Sequence, residues 1–540
     1  MQSLAQAFNN LRLASSGIVK GRLGRLGISP YPRSGRRPEY YGPSGSIKES
    51  PFFSRWNRPM TPSQAIATTI VLALLGFELI VLAILAFFPY LPDPRLATLN
   101  TSVYAFLAPL STVILLGLLY AWLVRFATRE ARRRSASFNS FVPFLSEPFE
   151  RLLSAVKNAS LSESASSFKV LSRPRLMLAI SIVVSILLVF IPYRPDLNPT
   201  GSLVGVDSPT YVGWLDQMLA LPLPSALRYS FVVGLDGSRP LLLVLLYLVA
   251  SAGVSPSQII EHLPMVLAPM LTLSVYIFAR YGQGNASFAA LAGLFTPVSF
   301  YTTVGLWGGY YANWLALIMV YPFMTCLLIF SRSPSAIKYC AMYILSVALF
   351  LTHPYTWVMI VMVSLVFAIS LWRETKSLVH VKSVIPIIAS GILLDIVKSW
   401  AFATQSVAAG WPYSVAGGAA SLLGFWGNLV EALLFTHGGL LASWLVLGMG
   451  LVAVFALRFK DRFERLLLLW VAIASIPFPA LDSYLQARIV YDLPIPILLS
   501  LSVLFYLPQI RNRNILLPGL TAALLLVTIA NYAVQGILFL

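Results

Sequence analysis

The sequence predicts an all-α polytopic membrane protein with about 13 transmembrane helices. Of its 540 residues, 58% are hydrophobic and only 11% are charged, whereas soluble domains are about 25% charged. Apolar runs close to the ~20 residues that cross a bilayer as a helix recur from residue 66 onward. This composition excludes a soluble enzyme, a disordered scaffold and a collagen-like fibre. The ~10-residue alternating segments typical of a membrane β-barrel do not dominate.

The chain divides into four regions. Residues 1–65 hold ten Lys/Arg and two acids among many Gly, Ser and Pro, which predicts a mostly disordered, basic cytoplasmic tail near anionic lipid. A transit peptide is the alternative, because the first 27 residues lack acids and contain Arg. Residues 66–125 hold two extra transmembrane helices, 126–175 form a cytoplasmic polar linker, and 176–540 form a transmembrane core. The predicted spans are 66–88, 105–125, 176–193, 263–280, 286–303, 312–330, 339–352, 357–372, 384–401, 440–457, 466–480, 493–508 and 515–536.

The apolar stretch 240–253 decides the topology. Its roughly 14 residues are too few to cross a bilayer. If it does not cross, 32 of the 38 Lys/Arg lie on the side of the N terminus; if it crosses, the division is 22 against 16. The positive-inside rule favours the first arrangement. We therefore predict a long external loop at 194–262 with an interfacial or re-entrant helix, a cytoplasmic N terminus and an external C terminus, in a plasma membrane.

The external loop contains the first candidate site. Ser208 and Pro209 are predicted to be the N-cap and first residue of a helix, which places Asp207 at the helix start. Asp207 either acts on a ligand or only offsets the helix dipole. The helix is predicted to lie on the membrane through one apolar face, formed by Tyr211, Trp214, Leu215, Met218 and Leu219.

Three further external turns carry polar or aromatic side chains. Trp307 and Tyr310 flank two glycines, an arrangement that suits a sugar ring or an ordinary aromatic belt. His353 begins another turn, as a functional or a structural residue. Arg488 is either a phosphate ligand or the i,i+4 partner of Asp492.

In their order along the chain, these features resemble the GT-C superfamily of integral-membrane glycosyltransferases. The resemblance covers residues 176–536. It rests on G-x-D-x-x-x-Y (Gly205, Asp207, Tyr211), Ser238-Arg239-Pro240 before a short apolar helix, Arg280-Tyr281-Gly282 at the end of a span, the Gly/aromatic turn, and a late Arg488 and Tyr491. It implies transfer of a sugar from a polyprenyl-phosphate-linked donor to a glycan, lipid or protein acceptor on the non-cytoplasmic face. The Trp-Trp-Asp motif of the oligosaccharyltransferase catalytic subunit is absent, and the turn where many relatives carry a second acid has Asn313.

The resemblance implies roles for the candidate residues. Asp207 would be the catalytic base or a single-carboxylate ligand to Mg²⁺ or Mn²⁺. Arg488 would bind the donor phosphate, with Lys398 and Arg239 as second choices. The residues lining the sugar or acceptor would be Tyr211, Trp307, Tyr310 and His353.

Two other classes of function are compatible with the sequence. A transporter or lipid flippase is also polytopic, although carriers usually place ionisable groups at mid-membrane, and the predicted span centres hold few. A non-catalytic membrane assembly protein derived from the same fold is the other alternative. A nucleic-acid partner is not expected, because the basic residues are explained by the membrane.

Overall fold

The computed structural model describes residues 173–195, 198–233, 239–402, 450, 453–455, 457, 459, 461–476 and 483–502. The predicted tail, the first two spans, all of the polar linker but residues 173–175, the predicted span at 515–536 and most of that at 440–457 lie outside these residues. Within them the regular secondary structure is entirely helical, without β-strands. The α-helices are α1 Pro174–Phe190, α2 Ser208–Leu219, α3 Leu223–Ser230, α4 Pro240–Ser251, α5 Pro256–Gln283, α6 Ala286–Val298, α7 Phe300–Gly308, α8 Tyr311–Arg332, α9 Ala336–Thr352, α10 Pro354–Thr375, α11 Val379–Phe402, α12 Arg462–Ser475 and α13 Ser483–Tyr491, and two short 3₁₀ segments lie at Ile191–Tyr193 and Ala453–Phe455. Residues 495–502 are also helical.

Five of the described segments are long and apolar enough to cross a membrane. They are Pro174–Tyr193, Pro256–Gln283, Tyr311–Arg332, Pro354–Thr375 and Val379–Phe402. The count rises to six if α6 and α7, bent by 43°, form one broken span. The other predicted spans with described residues correspond to the shorter α9, to the 14 residues of α12, and to the helical residues 495–502.

Local chemistry explains where the helices start and stop. The side chain of Ser255 accepts a hydrogen bond from Gln258 N at the start of α5, and the left-handed Gly284 (φ 72°) ends that helix. Asn285 caps α6 in the same way. The break between α6 and α7 follows Pro297, and the side chain of Ser299 caps the new helix by accepting from Tyr301 N. The 12-residue α4 is about 18 Å long, shorter than the ~30 Å hydrocarbon core.

The long helices of the described part run in alternating directions between the two ends of the bundle. The end away from the candidate site is called the opposite end. There Arg332, at the end of α8, donates to the carbonyl of Gly282 at 3.0 Å. Arg462 at the start of α12 donates to Ser331 O at 2.6 Å. Arg465 pairs with Glu374 near the end of α10 at 2.6 Å. Arginines therefore satisfy the terminal carbonyls that helices leave without partners.

The interior of the bundle is aromatic. Phe278 of α5 lies 5.7 Å from Tyr321 of α8 and 6.4 Å from Trp470 of α12, measured between ring centroids. All three side chains are fully buried. Large rigid rings fix the spacing of these helices, and this packing holds the starts of α8 and α10 and the end of α7 at the other end of the bundle, here called the site end.

Candidate functional site

Asp207 is held by close backbone packing at the site end. Gly205 (φ +108°) lies so near the turn after α7 that an added Cβ would come within 2.5 Å of Leu306 O. Gly309 (φ +66°) is similarly close to Asp207, since its added Cβ would lie 2.9 Å from Asp207 Cβ. The hydroxyl of Ser208 lies 2.7 Å from that of Tyr311. The external loop and the Gly/aromatic turn, about 100 residues apart in sequence, therefore form one unit.

The helix after this loop begins one residue earlier than predicted. Ser208 is the first helical residue, and Asp207 occupies the N-cap position without making a side-chain capping hydrogen bond. The prediction of one apolar face lying on the membrane is wrong in part. Tyr211, Leu215 and Met218 are buried against α4 and α5, and Leu219 is exposed.

Asp207 pairs with a predicted site residue. One carboxylate oxygen lies 3.6 Å from Arg239 Nη1, and the Asp207 side chain is one-third exposed. Arg239 is buried at the start of α4 and donates a 2.8 Å hydrogen bond to the hydroxyl of Tyr211. Burial raises the pKa of the Tyr211 phenol, and the charge of Arg239 opposes that rise. Tyr211 therefore stays a neutral hydroxyl that orients the guanidinium, while Asp207 presents a carboxylate to solvent.

A second guanidinium lies on the aromatic turn. The Arg488 side chain is buried, and its Cζ is 3.6 Å from the centroid of the Tyr310 ring. Arg488 also donates a hydrogen bond to Asn313 Oδ1. The ring of Tyr491 meets that of Tyr310 edge-on, with 5.6 Å between their centroids. A guanidinium stacked on a ring is held flat, which suits binding of a planar or tetrahedral anion.

Behind Arg488 lies a buried polar network. Asn313 donates to Asp492 Oδ1 at 3.2 Å, and the Thr356 hydroxyl donates to Asp492 Oδ2 at 2.6 Å. His353 Nδ1 lies 2.8 Å from the Thr356 hydroxyl. Burial lowers the pKa of His353 well below its usual value, and the charges of Arg488 and Arg239 lower it further. His353 is therefore neutral, and the positive charges of Arg488 and Arg239 both disfavour its protonation.

At the site end the structure places six of the eight predicted site residues in two groups, one around Asp207 and one around Arg488. These are Asp207, Arg239, Tyr211, Tyr310, Arg488 and His353. Lys398 instead lies on α11, where its Nζ is 4.0 Å from Asp395. The side chain of Trp307 lies outside the described part of the chain.

Sequence reasoning gave too small a role to three residues. The sequence singles out Asn313 only as standing where many relatives carry an acid and Asp492 only as a local partner of Arg488, and it does not single out Thr356. All three are buried at the site end. The signal that could have identified Asp492 is an acid one turn from an external Arg, directly before an apolar span.

Asp207 does not belong to a cluster of metal-ligating side chains within the described part of the chain. No group of three or more His, Cys, Asp or Glu side chains suited to a metal ion occurs among the described residues. The nearest charged partner that the structure shows for Asp207 is a guanidinium, which competes with a cation for the same oxygen. Binding of Mg²⁺ or Mn²⁺ by Asp207 stays a prediction, and no step below depends on it.

Comparison with known proteins gives no family. No protein-family model matches the chain, and no curated protein matches its sequence. The function must therefore be argued from the geometry of the site end.

Proposed function

We propose that the chain is a membrane glycosyltransferase of GT-C type that moves a sugar from a polyprenyl-phosphate-linked donor to an acceptor at the site end of the bundle. The observation that supports it is the ion pair of a part-exposed carboxylate, Asp207, with the buried Arg239, while a second buried guanidinium, Arg488, lies on Tyr310 in the adjoining turn. Glycosyl transfer requires a base for the acceptor proton and positive charge for the departing phosphate.

The position of the cluster suits a lipid-linked donor. Helices long and apolar enough to cross a membrane end beside it, and α4 exposes Leu245, Leu248 and Val249 along its length. A polyprenyl tail would lie against such side chains while its phosphate reached the arginines. A donor in bulk water would not need this apolar surface.

Each residue has a role in this proposal. Asp207 accepts the proton of the acceptor hydroxyl as the new glycosidic bond forms. The bond between the sugar carbon and the donor phosphate oxygen breaks, and the phosphate leaves with its electron pair toward Arg488 and Arg239. Tyr310 and His353 line the sugar or acceptor, and Tyr211 orients Arg239.

Replacement of the carboxylate tests the proposal. Asp207→Asn keeps the size of the side chain and removes the base, so turnover should fall by about 100-fold or more. The assay uses the purified chain in liposomes with dolichyl phosphoglucose or dolichyl phosphomannose and a membrane extract as acceptor, and it measures release of dolichyl phosphate. Asp216→Asn, at an exposed position on α2, is the matched control and should keep full activity.

A non-catalytic assembly protein is the second candidate. The ion pair between Asp207 and Arg239 favours it, because such a pair can serve structure alone. In that case the wild-type chain turns over neither donor. Asp207→Asn then lowers the thermal stability, and neither protein has transfer activity. Turnover that depends on Asp207 but not on Asp216 would rule this candidate out.

A further inference from the structure

Asp492 is a buried carboxylate that the proposed reaction does not use. Its side chain is 3% exposed, directly after α13 and only four residues from Arg488. It accepts hydrogen bonds from Asn313 of α8 and Thr356 of α10. Three helices thus converge on one acid, and a buried carboxylate is costly unless it is protonated or compensated by charge.

The groups that face Asp492 come from every element packed around it. Arg488 lies on its own helix, α13. Asn313 and Tyr321 lie on α8, His353 and Thr356 at the start of α10, Tyr301 on α7, and Tyr491 directly before it. Arg488 is the cation in this set. A group that cancels the charge of Arg488 therefore changes the protonation state of Asp492.

Asn313 connects the acid to the guanidinium. Its amide nitrogen donates to Asp492, and its amide oxygen accepts from Arg488. The amide can satisfy both partners only in one orientation, because one end donates and the other accepts. The position of Arg488 is therefore set by Asp492 through Asn313.

We propose that Asp492 is a positioning residue that takes up a proton when a phosphate anion binds Arg488. The inference rests on the proposed function, since it names the anion of the donor as the ligand. Without an anion, the Asp492 carboxylate helps to balance the Arg488 charge. A bound phosphate takes over that balance, and the carboxylate oxygen then gains a proton from solvent and becomes neutral.

The sign of the effect follows from the burial of Asp492. Burial raises its pKa from 3.8 to about 7, against the hydrogen bond from Thr356 and the charge of Arg488, which lower it. An anion on Arg488 cancels that charge, so the pKa of Asp492 rises further in the complex. Affinity is then constant below about pH 7 and falls by up to tenfold per pH unit above it, because the proton must be acquired on binding.

Calorimetry of the purified wild-type chain tests the proposal directly. The probe is a short isoprenyl phosphodiester of glucose, which lacks the second ionisable phosphate proton that a monoester carries. Titration at about pH 8 in two buffers of different ionisation enthalpy measures proton uptake per site. We expect a net uptake approaching one proton. Binding with no proton uptake would overturn the proposal.

Asp492→Asn gives a second, independent readout. The amide imitates the neutral acid, so the variant should bind the probe at pH 8.5 as tightly as the wild type does at pH 6, with no pH dependence between them. Asp216→Asn should keep the wild-type pH profile. A purely structural role would instead weaken binding equally at every pH.

The two proposals fail in different ways. If the proposed function is wrong, the probe does not bind the wild type, or it binds the wild type and Arg488→Ala with equal affinity. If only this inference is wrong, the probe binds in an Arg488-dependent manner but with the same pH profile in the wild type and Asp492→Asn. Should Asp492→Asn fail to fold, the wild-type proton count still decides.

Discussion

At the scale of single residues, Arg488 shows how a cation is kept in the interior of the site end. Its guanidinium is stacked on Tyr310 and donates to Asn313. The ring face supplies attraction without forming a strong hydrogen bond. The ring of Tyr310 and the amide of Asn313 therefore stabilise the buried charge of Arg488 together.

Replacement of the Tyr310 ring should weaken binding of the donor. Tyr310→Leu removes the ring face under Arg488, at a cost of about 1–2 kcal/mol, or roughly tenfold in donor KM. Tyr310→Phe keeps the face and should change donor KM much less. Steady-state kinetics with dolichyl phosphoglucose measures the difference. Equal effects of Leu and Phe would show that the hydroxyl, not the stacking, is what Arg488 needs.

The individual site residues were predictable to different degrees. Asp207 and Arg488 were found because an acid after a glycine and a rare external cation are visible in the sequence itself. The partnership of Asn313 and Asp492 joins positions 179 residues apart, and local patterns carry no information on such a contact. Lys398 was an equally visible cation, but its partner Asp395 lies three residues away on the same helix.

At the scale of elements, two glycines allow the loop before α2 to lie against the turn after α7. Gly205 and Gly309 both have positive φ, and a Cβ on either would overlap the other segment. Only glycine combines this backbone conformation with so close an approach. The distance between Asp207 and the Tyr310–Arg488 stack depends on this contact.

Gly205→Ala should therefore loosen the site as well as destabilise the fold. Backbone strain at positive φ costs about 1–3 kcal/mol, and the clash of the new Cβ with Leu306 O, only 2.5 Å away, must also be relieved. We expect a lower melting temperature in detergent and a loss of transfer activity. Gly213→Ala on α2 is the matched control, since its Cβ meets nothing within 4 Å. An unchanged melting temperature for Gly205→Ala would contradict the close packing.

Helix ends were harder to predict than helix positions. The apolar runs located α5, α8, α10 and α11, because long hydrophobic stretches are a strong signal. The break at Ser299 within one continuous apolar run was missed. A serine that caps the following helix looks like any small residue until the chain is seen to bend.

At the scale of the whole molecule, charge is distributed unevenly between the two ends of the bundle. In the part of the chain that the structure describes, ten Lys and Arg lie at the opposite end and five at the site end. The ten are Arg173, Arg175, Arg280, Arg332, Lys338, Arg373, Lys376, Lys382, Arg462 and Arg465; the five are Arg194, Arg228, Arg239, Lys398 and Arg488. From the positive-inside rule we expect the opposite end to be cytoplasmic and the site end to be external.

Labelling of single cysteines tests that orientation. The chain contains only Cys326 and Cys340, so a cysteine-free background needs two substitutions. Asp216→Cys on α2 reports on the site end and Ala336→Cys at the start of α9 on the opposite end, and both positions are exposed. In intact cells, a membrane-impermeant maleimide should label position 216 at once and position 336 only after permeabilisation. The reverse pattern would place the arginine pair on the cytoplasmic face, where an externally transferred sugar would be out of reach.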